Sequence, residues 1–221
     1  MQPLLITGTN TEIGKTYVAC GIARELKRRG IDVGVFKPFC SGSREDAELL
    51  IEASGSGDDI EIVNPFYFEK PLAPYHAAML DNLEIDISKC FAAFDILKQR
   101  REILIVEGAG GILVPICEAE GEIYSFLDFF SDCAGKVVVV AGRELGTINH
   151  TWLTVKTCKE KGLDVLGVIY NDIKPAEKKE PYLSNPKIIS KCAGTKIMGA
   201  VAYNPDPKDD AWKKLTDNIL T

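Results

Sequence analysis

The residues Gly8-Thr9-Asn10-Thr11-Glu12-Ile13-Gly14-Lys15-Thr16 carry the sharpest chemical signal in the sequence. They read as a phosphate-binding loop with one more residue between the glycines than G-x-x-x-x-G-K-[ST]. Glycines let the backbone bend close, so that successive N–H groups face phosphate oxygens. A helix starting at once adds the positive end of its dipole. Lys15 then reaches the β- and γ-phosphates, and the Thr16 hydroxyl is a hard oxygen for Mg²⁺. A plain glycine turn capping a helix would leave Lys15 and Thr16 unexplained.

A second cation follows the next apolar run. Gly34-Val35-Phe36-Lys37-Pro38 ends a strand, and Phe39-Cys40-Ser41-Gly42-Ser43 continues from it. Ligands of an open parallel sheet sit beyond the carboxyl ends of its strands, so Lys37 should face the same crevice as the loop. Magnesium needs further hard oxygens. Asp46 opens a helix, where an acid is also favoured by the helix dipole alone. Glu107 is harder to explain that way, because it ends the run Ile105-Val106-Glu107 and precedes Gly108-Ala109-Gly110-Gly111. Small residues there let the backbone approach a ligand.

The elements that must position these groups alternate along the chain. Apolar runs at Leu4–Thr7, Val33–Lys37, Ile103–Val106, Val137–Ala141, Val165–Tyr170 and Ile197–Val201 read as strands. Continuous apolar runs are expected of parallel strands buried on both faces. Helical spacing marks Lys15–Arg29, Asp46–Ala53, Ile85–Arg100, Thr151–Lys161 and a short Ile188–Cys192, with Gly30 and Gly162 as stops. The segment Lys174–Lys187 is polar and proline-rich and reads as a loop. Strand and helix in alternation imply crossover connections. The expected architecture is α/β: one doubly wound, mostly parallel sheet with helices on both faces, in a single domain over residues 1–221.

Composition bounds the partners. The chain has 221 residues, 26 Lys and Arg against 32 Asp and Glu, and a formal net charge of -6. That balance argues against nucleic acid as a partner, which requires a basic face, but leaves room for a small anion held by a few local cations. The longest apolar stretch, near Val137–Ala141, is far short of the roughly 18 residues a spanning helix needs. No basic segment precedes the first apolar run, so no export signal is expected. Seven cysteines without a C-x-x-C pair are expected as buried reduced thiols of a cytoplasmic protein. His76 and His150 read as structural.

Taken together, these motifs resemble dethiobiotin synthetases. That family shows G-T-x-T-x-[VI]-G-K-T, matched by Gly8–Thr16 with its extra residue. It shows K-P followed by S-G, matched by Lys37-Pro38 and Ser41-Gly42. It shows V-E-G-A-G-G, matched by Val106–Gly111, and L-G-x-I-N-H, matched by Leu145–His150. An Asn-Asp after a later strand is matched by Asn171-Asp172, and an N-P-…-P-x-x-P segment by Asn64-Pro65, Pro71 and Pro74. The matches run in order from about residue 4 to 205.

The resemblance implies conversion of 7,8-diaminopelargonate, CO2 and MgATP to dethiobiotin, ADP and phosphate. It places Lys15 and Lys37 on the transferring phosphoryl group and the carbamate, and Thr16, Asp46 and Glu107 on Mg²⁺. Thr11 and Ser41 would position the diamine. Glu12 would either touch substrate or fix the loop's geometry. ATP would lie along Ile13, Gly14 and Tyr17, beside Gly108, Ala109 and Gly110, with Asn171 and Asp172 at the base. Gly111, Leu145, Gly146, Thr147 and Asn149 would serve the substrate, the segment from Gly146 binding the carboxylate held by the neighbouring subunit of a homodimer. The chain departs from the family's G-x-I-P in Gly199-Ala200-Val201-Ala202-Tyr203. It is also lysine-rich at Lys174, Lys178 and Lys179. Both departures leave the preference for ATP over other nucleotides open.

Rival readings fare less well. Amidating relatives need a glutaminase domain, for which 221 residues leave no room. A partner-regulated switch ATPase would often carry a second lysine in the loop or a His/Cys cluster. A GTPase would show N-K-x-D, which Asn171-Asp172-Ile173-Lys174 does not match. A binding module without chemistry leaves Lys37 and Glu107 idle.

Overall fold

The computed structural model describes residues 2–175, 180–205 and 210–221, with the backbone alone at 180–183. Lys178 and Lys179 therefore lie outside the described residues. In chain order the elements are β1 (Leu4–Gly8), α1 (Lys15–Arg28), β2 (Val33–Phe36), β3 (Phe39–Ser41), α2 (Glu45–Ser54), α3 (Ile60–Val63) and β4 (Phe66–Phe68). There follow α4 (Pro74–Asp81), α5 (Ile87–Arg100), β5 (Ile103–Gly111), β6 (Pro115–Ala119), β7 (Glu122–Ser125), α6 (Phe126–Cys133) and β8 (Lys136–Ala141). The remainder is α7 (Thr147–Glu160), β9 (Asp164–Asn171), α8 (Glu180–Ala193), β10 (Ile197–Val201) and α9 (Ala211–Leu220).

Six strands form one sheet in the order β10-β9-β8-β1-β5-β2. Every pairing in it is parallel, with Leu5 of β1 opposite Val106 and Val137. All of β1 and β2 is buried, so both faces of the sheet are covered there. The chain leaves β1 toward β2 on one side and later fills β8, β9 and β10 on the other. The crevice beyond the carboxyl end of β1 lies at that change of direction, where open α/β sheets take their ligands.

Beside the sheet, an aromatic cluster anchors the Lys37 turn. Phe36 and Phe39 flank Lys37-Pro38, and both are fully buried against Phe129 of α6. Phe94 of α5 and Phe126 of α6 complete the contacts. Aromatic pairs at 4.5–7 Å contribute roughly 0.5–1.5 kcal/mol each beyond their burial. The lysine thus leaves a rigid wall rather than a free loop. All seven cysteines are unpaired, six of them buried, as expected. Among the described residues no helix is long and apolar enough to cross a membrane.

The expected pattern lacked β3, α3, β4, α4, β6, β7, α6 and α9, and two of the expected helices start a turn or more earlier than the sequence suggested. Helix α7 starts at Thr147 rather than Thr151. Its buried face is largely threonine, which hides the apolar period: the Thr147 hydroxyl donates to the Gly142 carbonyl at 2.6 Å and Thr154 to His150 O at 2.8 Å. Helix α8 begins at Glu180, inside the segment expected to be a loop, and runs through Pro186. Buried Asn185 and Ile189 fix it in place despite its polar, proline-containing sequence. The hairpin β6–β7 leads into α6 through a capping box of Ser125 and Asp128, a signature readable as S-x-x-D.

Candidate active site

The loop between β1 and α1 is shaped by three backbone positions. A Cβ on Gly8 would lie 2.7 Å from Ile13 Cγ2 and 3.0 Å from Asn10 O, so only glycine fits. Gly14 sits at φ 82° and would drive a side chain into the Asn171 amide. Glu12 takes the left-handed region at φ 56° without being glycine. Such a residue stores strain of order 1–3 kcal/mol. Its exposed side chain points to loop geometry as one role. Helix α1 starts with no side-chain cap and no acid in its first turn. Its terminal N–H groups are thus left for an anion.

Two lysines converge behind this loop. Lys15 is buried, and its Nζ donates to Asn10 O at 3.2 Å, folded back over the loop. Burial first, and then the charge of Lys37, push its pKa from the ordinary 10.5 down to about 8. Lys37 is 3% exposed. Its ammonium contacts Glu107 Oε1, lies 3.1 Å from Asp46 Oδ2 and donates to Gly108 O at 3.3 Å. Burial works against that charge, but Glu107 and Asp46 outweigh it and raise the pKa above the usual lysine value. Thr16 Oγ1 donates to the same Glu107 Oε1 at 2.8 Å. Burial alone would raise the Asp46 pKa, yet Lys37 and then Thr16 hold it below the usual carboxylate range. Lys15 and Thr16 of α1, Lys37 of the turn after β2, Asp46 of α2 and Glu107 of β5 therefore meet at one place.

The other expected residues fall into three groups around this centre. Gly110, at φ 64°, lies under Thr11: a Cβ there would be 3.3 Å from Thr11 Oγ1. Gly111 pairs with Gly8 across β1 and β5, and Gly108 backs onto Phe126 and Phe130. Ala109 is half-buried between them, and Ser41 is half-buried at the end of β3. On the base side, Asn171 is buried and donates from Nδ2 to Ile13 O at 3.1 Å, while its Oδ1 has no hydrogen-bond partner among the described residues. Asp172 pairs with Arg143 at 3.1 Å. Tyr17 turns outward and meets Trp212 of α9 edge-on at 5.7 Å. The third group, Leu145, Gly146 and Thr147, lines a cleft of about 1010 Å³ with Thr9–Ile13 and Asn171–Pro175. Leu145 is wholly exposed. Asn149 is exposed at the start of α7 but outside the cleft lining.

Sequence reasoning passed over two supporting residues. Asn64 is fully buried and donates from Nδ2 to Lys37 O at 2.7 Å, which holds the lysine's backbone. Asn10 supplies the carbonyl that receives Lys15. The Asn64-Pro65 pair marks a turn, but nothing in the sequence says which strand it clasps.

Known proteins bear on this geometry. The AAA domain family model matches residues 2–210. The ATP-dependent dethiobiotin synthetase of Methanococcus vannielii is 42% identical over 205 residues, covering 92% of this chain and 94% of that protein. The enzyme of the same name from Bacillus licheniformis is 40% identical, covering 90% and 85%. The one from Akkermansia muciniphila is 36% identical, covering 95% and 96%. The chain belongs to the dethiobiotin synthetase family.

Dethiobiotin synthetases are ATP-dependent ligases that close a ureido ring, and the phosphate-binding loop with its two lysines is consistent with that class. The MinD cell division protein of Aquifex aeolicus shares the fold, with a TM-score of 0.65 at 16% identity, covering 100% of this chain and 97% of that one. Magnesium fits the residues present in this synthetase. Buried Glu107 Oε2 has no hydrogen-bond partner among the described residues, and two carboxylates with a hydroxyl make a hard-oxygen set that leaves room for phosphates and water.

Proposed function

We propose that Lys15, Lys37 and Glu107 form the phosphoryl-transfer centre of an ATP-dependent dethiobiotin synthetase acting on 7,8-diaminopelargonate and CO2. The observation that carries this reading is the contact of buried Lys37 with Glu107, with buried Lys15 close enough to feel the charge of both, beside an uncapped helix N-terminus. One amine of the diamine takes up CO2 as a carbamate. A carbamate oxygen attacks the γ-phosphorus and ADP leaves. The second amine then attacks the carbamate carbon, closes the ring and expels phosphate. No protein nucleophile is needed.

Each residue has a place in that sequence. The N–H groups of the loop and α1, from Glu12 through Thr16, cradle the phosphates. Lys15 stabilises charge on the γ-phosphoryl group, and Lys37 that on phosphoryl and carbamate oxygens. Thr11 and Ser41 orient the diamine over Gly110 and Gly111. Thr16, Asp46 and Glu107 would hold Mg²⁺, which when bound neutralises β- and γ-phosphate oxygens. Asn171 meets the base. With Nδ2 committed to Ile13 O, its Oδ1 accepts from an exocyclic amino group, which adenine presents. The loop from Leu145 to Asn149 serves the substrate carboxylate across a homodimer, and the wholly exposed Leu145 suits such an interface. The enzyme works in the cytoplasm as a single domain.

Replacing Lys37 tests the centre. Lys37→Ala should lower kcat by about 10³-fold, the scale of losing one preorganised charge donor, with a native circular-dichroism spectrum. Turnover within a few-fold of the parent would remove Lys37 from the chemistry.

A further inference from the structure

Lys37 is fully engaged with oxygens of the protein itself. Its ammonium has three N–H donors and three oxygens around it: Glu107 Oε1, Asp46 Oδ2 and Gly108 O. Two of those oxygens belong to the carboxylates assigned above to magnesium. The third assigned group, Thr16 Oγ1, is bound to the same Glu107 oxygen as the ammonium. The lysine therefore stands where the positive charge of a metal would be needed, and it offsets one of the two negative charges of Asp46 and Glu107. A dication and an ammonium both within about 3 Å of the same oxygens repel each other strongly, most of all at buried Glu107, less at half-exposed Asp46.

We propose that Lys37 is an internal counter-ion that the metal replaces: divalent cation at Asp46, Glu107 and Thr16 displaces the Lys37 ammonium toward the crevice and the phosphoryl group. The proposal rests on the metal assignment given above. The exchange makes the lysine available for chemistry only once the metal is in place. The backbone of Lys37 does not move, because Asn64 holds its carbonyl and its N–H donates to Val63 O at 3.0 Å. Only the side chain swings, from one set of oxygens to another. Partner exchange of this kind is a reciprocal coupling: whatever the ammonium contributes to the resting carboxylates, the metal must overcome.

The measurement is Mn²⁺ binding to nucleotide-free protein, followed by electron paramagnetic resonance. Removing the competing cation in Lys37→Met should tighten Mn²⁺ binding about tenfold, within the usual range of such couplings. Asp46→Asn should weaken binding to the parent. In the parent protein, labelling of Lys37 by an amine-reactive reagent, read by mass spectrometry, should rise about fivefold or more at saturating Mn²⁺. The labelling readout stands even if Lys37→Met does not fold. Unchanged affinity in Lys37→Met together with unchanged labelling would overturn the exchange, placing metal on Glu107 Oε2 beside a stationary lysine. Unaltered Mn²⁺ binding in Asp46→Asn would overturn the metal assignment itself, and the exchange with it.

Discussion

Lys15 is a buried cation that costs the fold stability, as a cation held for the proposed phosphate site would. Its folded pKa of about 8 lies below its ordinary 10.5, so the folded chain gives up this proton before the unfolded chain does. Below about pH 8 both states hold the proton, and the folded state bears the whole cost of burying it. Stability therefore rises as pH climbs from about 8 to 10.5. Lys15→Met should raise nucleotide-free stability by about 3 kcal/mol at pH 7, and the gain should fade by pH 10.5. Urea denaturation of both proteins across that range checks it. A gain that grows with pH would refute the sign. ATP affinity of the parent should fall above pH 8 for the same reason, as Lys15 loses its charge. On the proposed base contact, the orientation of the Asn171 amide would decide the base. ATP should bind at least about tenfold tighter than GTP, whose O6 would oppose Oδ1, while CTP, with its own amino group, should fall between. Competitive titration of the three ranks them, and GTP binding equal to ATP would show that Asn171 does not read the base.

At the scale of elements, the loop is held by what its glycines exclude. Gly14→Ala would meet both a left-handed backbone and the Asn171 amide. The backbone part alone costs roughly 1–2 kcal/mol, and ATP affinity should fall about tenfold or more as loop and amide separate. Isothermal titration calorimetry measures it; undiminished affinity would mean that loop and amide need not touch. The strands, α1 and the loop were legible because their signals are local: continuous apolar runs, the 3.6-residue period and the glycine spacing. The first turn of α7 and the N-terminal half of α8 were not. One buries threonines that satisfy their own hydroxyls, and the other carries a proline within a polar sequence. Long-range pairings were equally hidden. Lys37, Asp46 and Glu107 could be placed in one crevice from strand ends, but the direct contact of Lys37 with Glu107 could not. Nor could Asp172 be seen to spend its carboxylate on Arg143, or Tyr17 to face Trp212.

For the whole molecule, a net charge of -6 proves a poor guide to the site. On the proposed site, an acidic chain would bind polyanions by gathering two lysines and a helix N-terminus at the end of β1, in the place the sheet's change of direction opens. The same fold serves a cell division protein, so the architecture alone does not establish the ligase reaction. What establishes it is whether phosphate release is tied to an acceptor. The decisive measurement is phosphate release by purified protein with 7,8-diaminopelargonate, bicarbonate and MgATP, and with each left out in turn. The synthetase account predicts release only with all three, one phosphate for each dethiobiotin formed. Release at an undiminished rate without the diamine would contradict it and point to a switch ATPase.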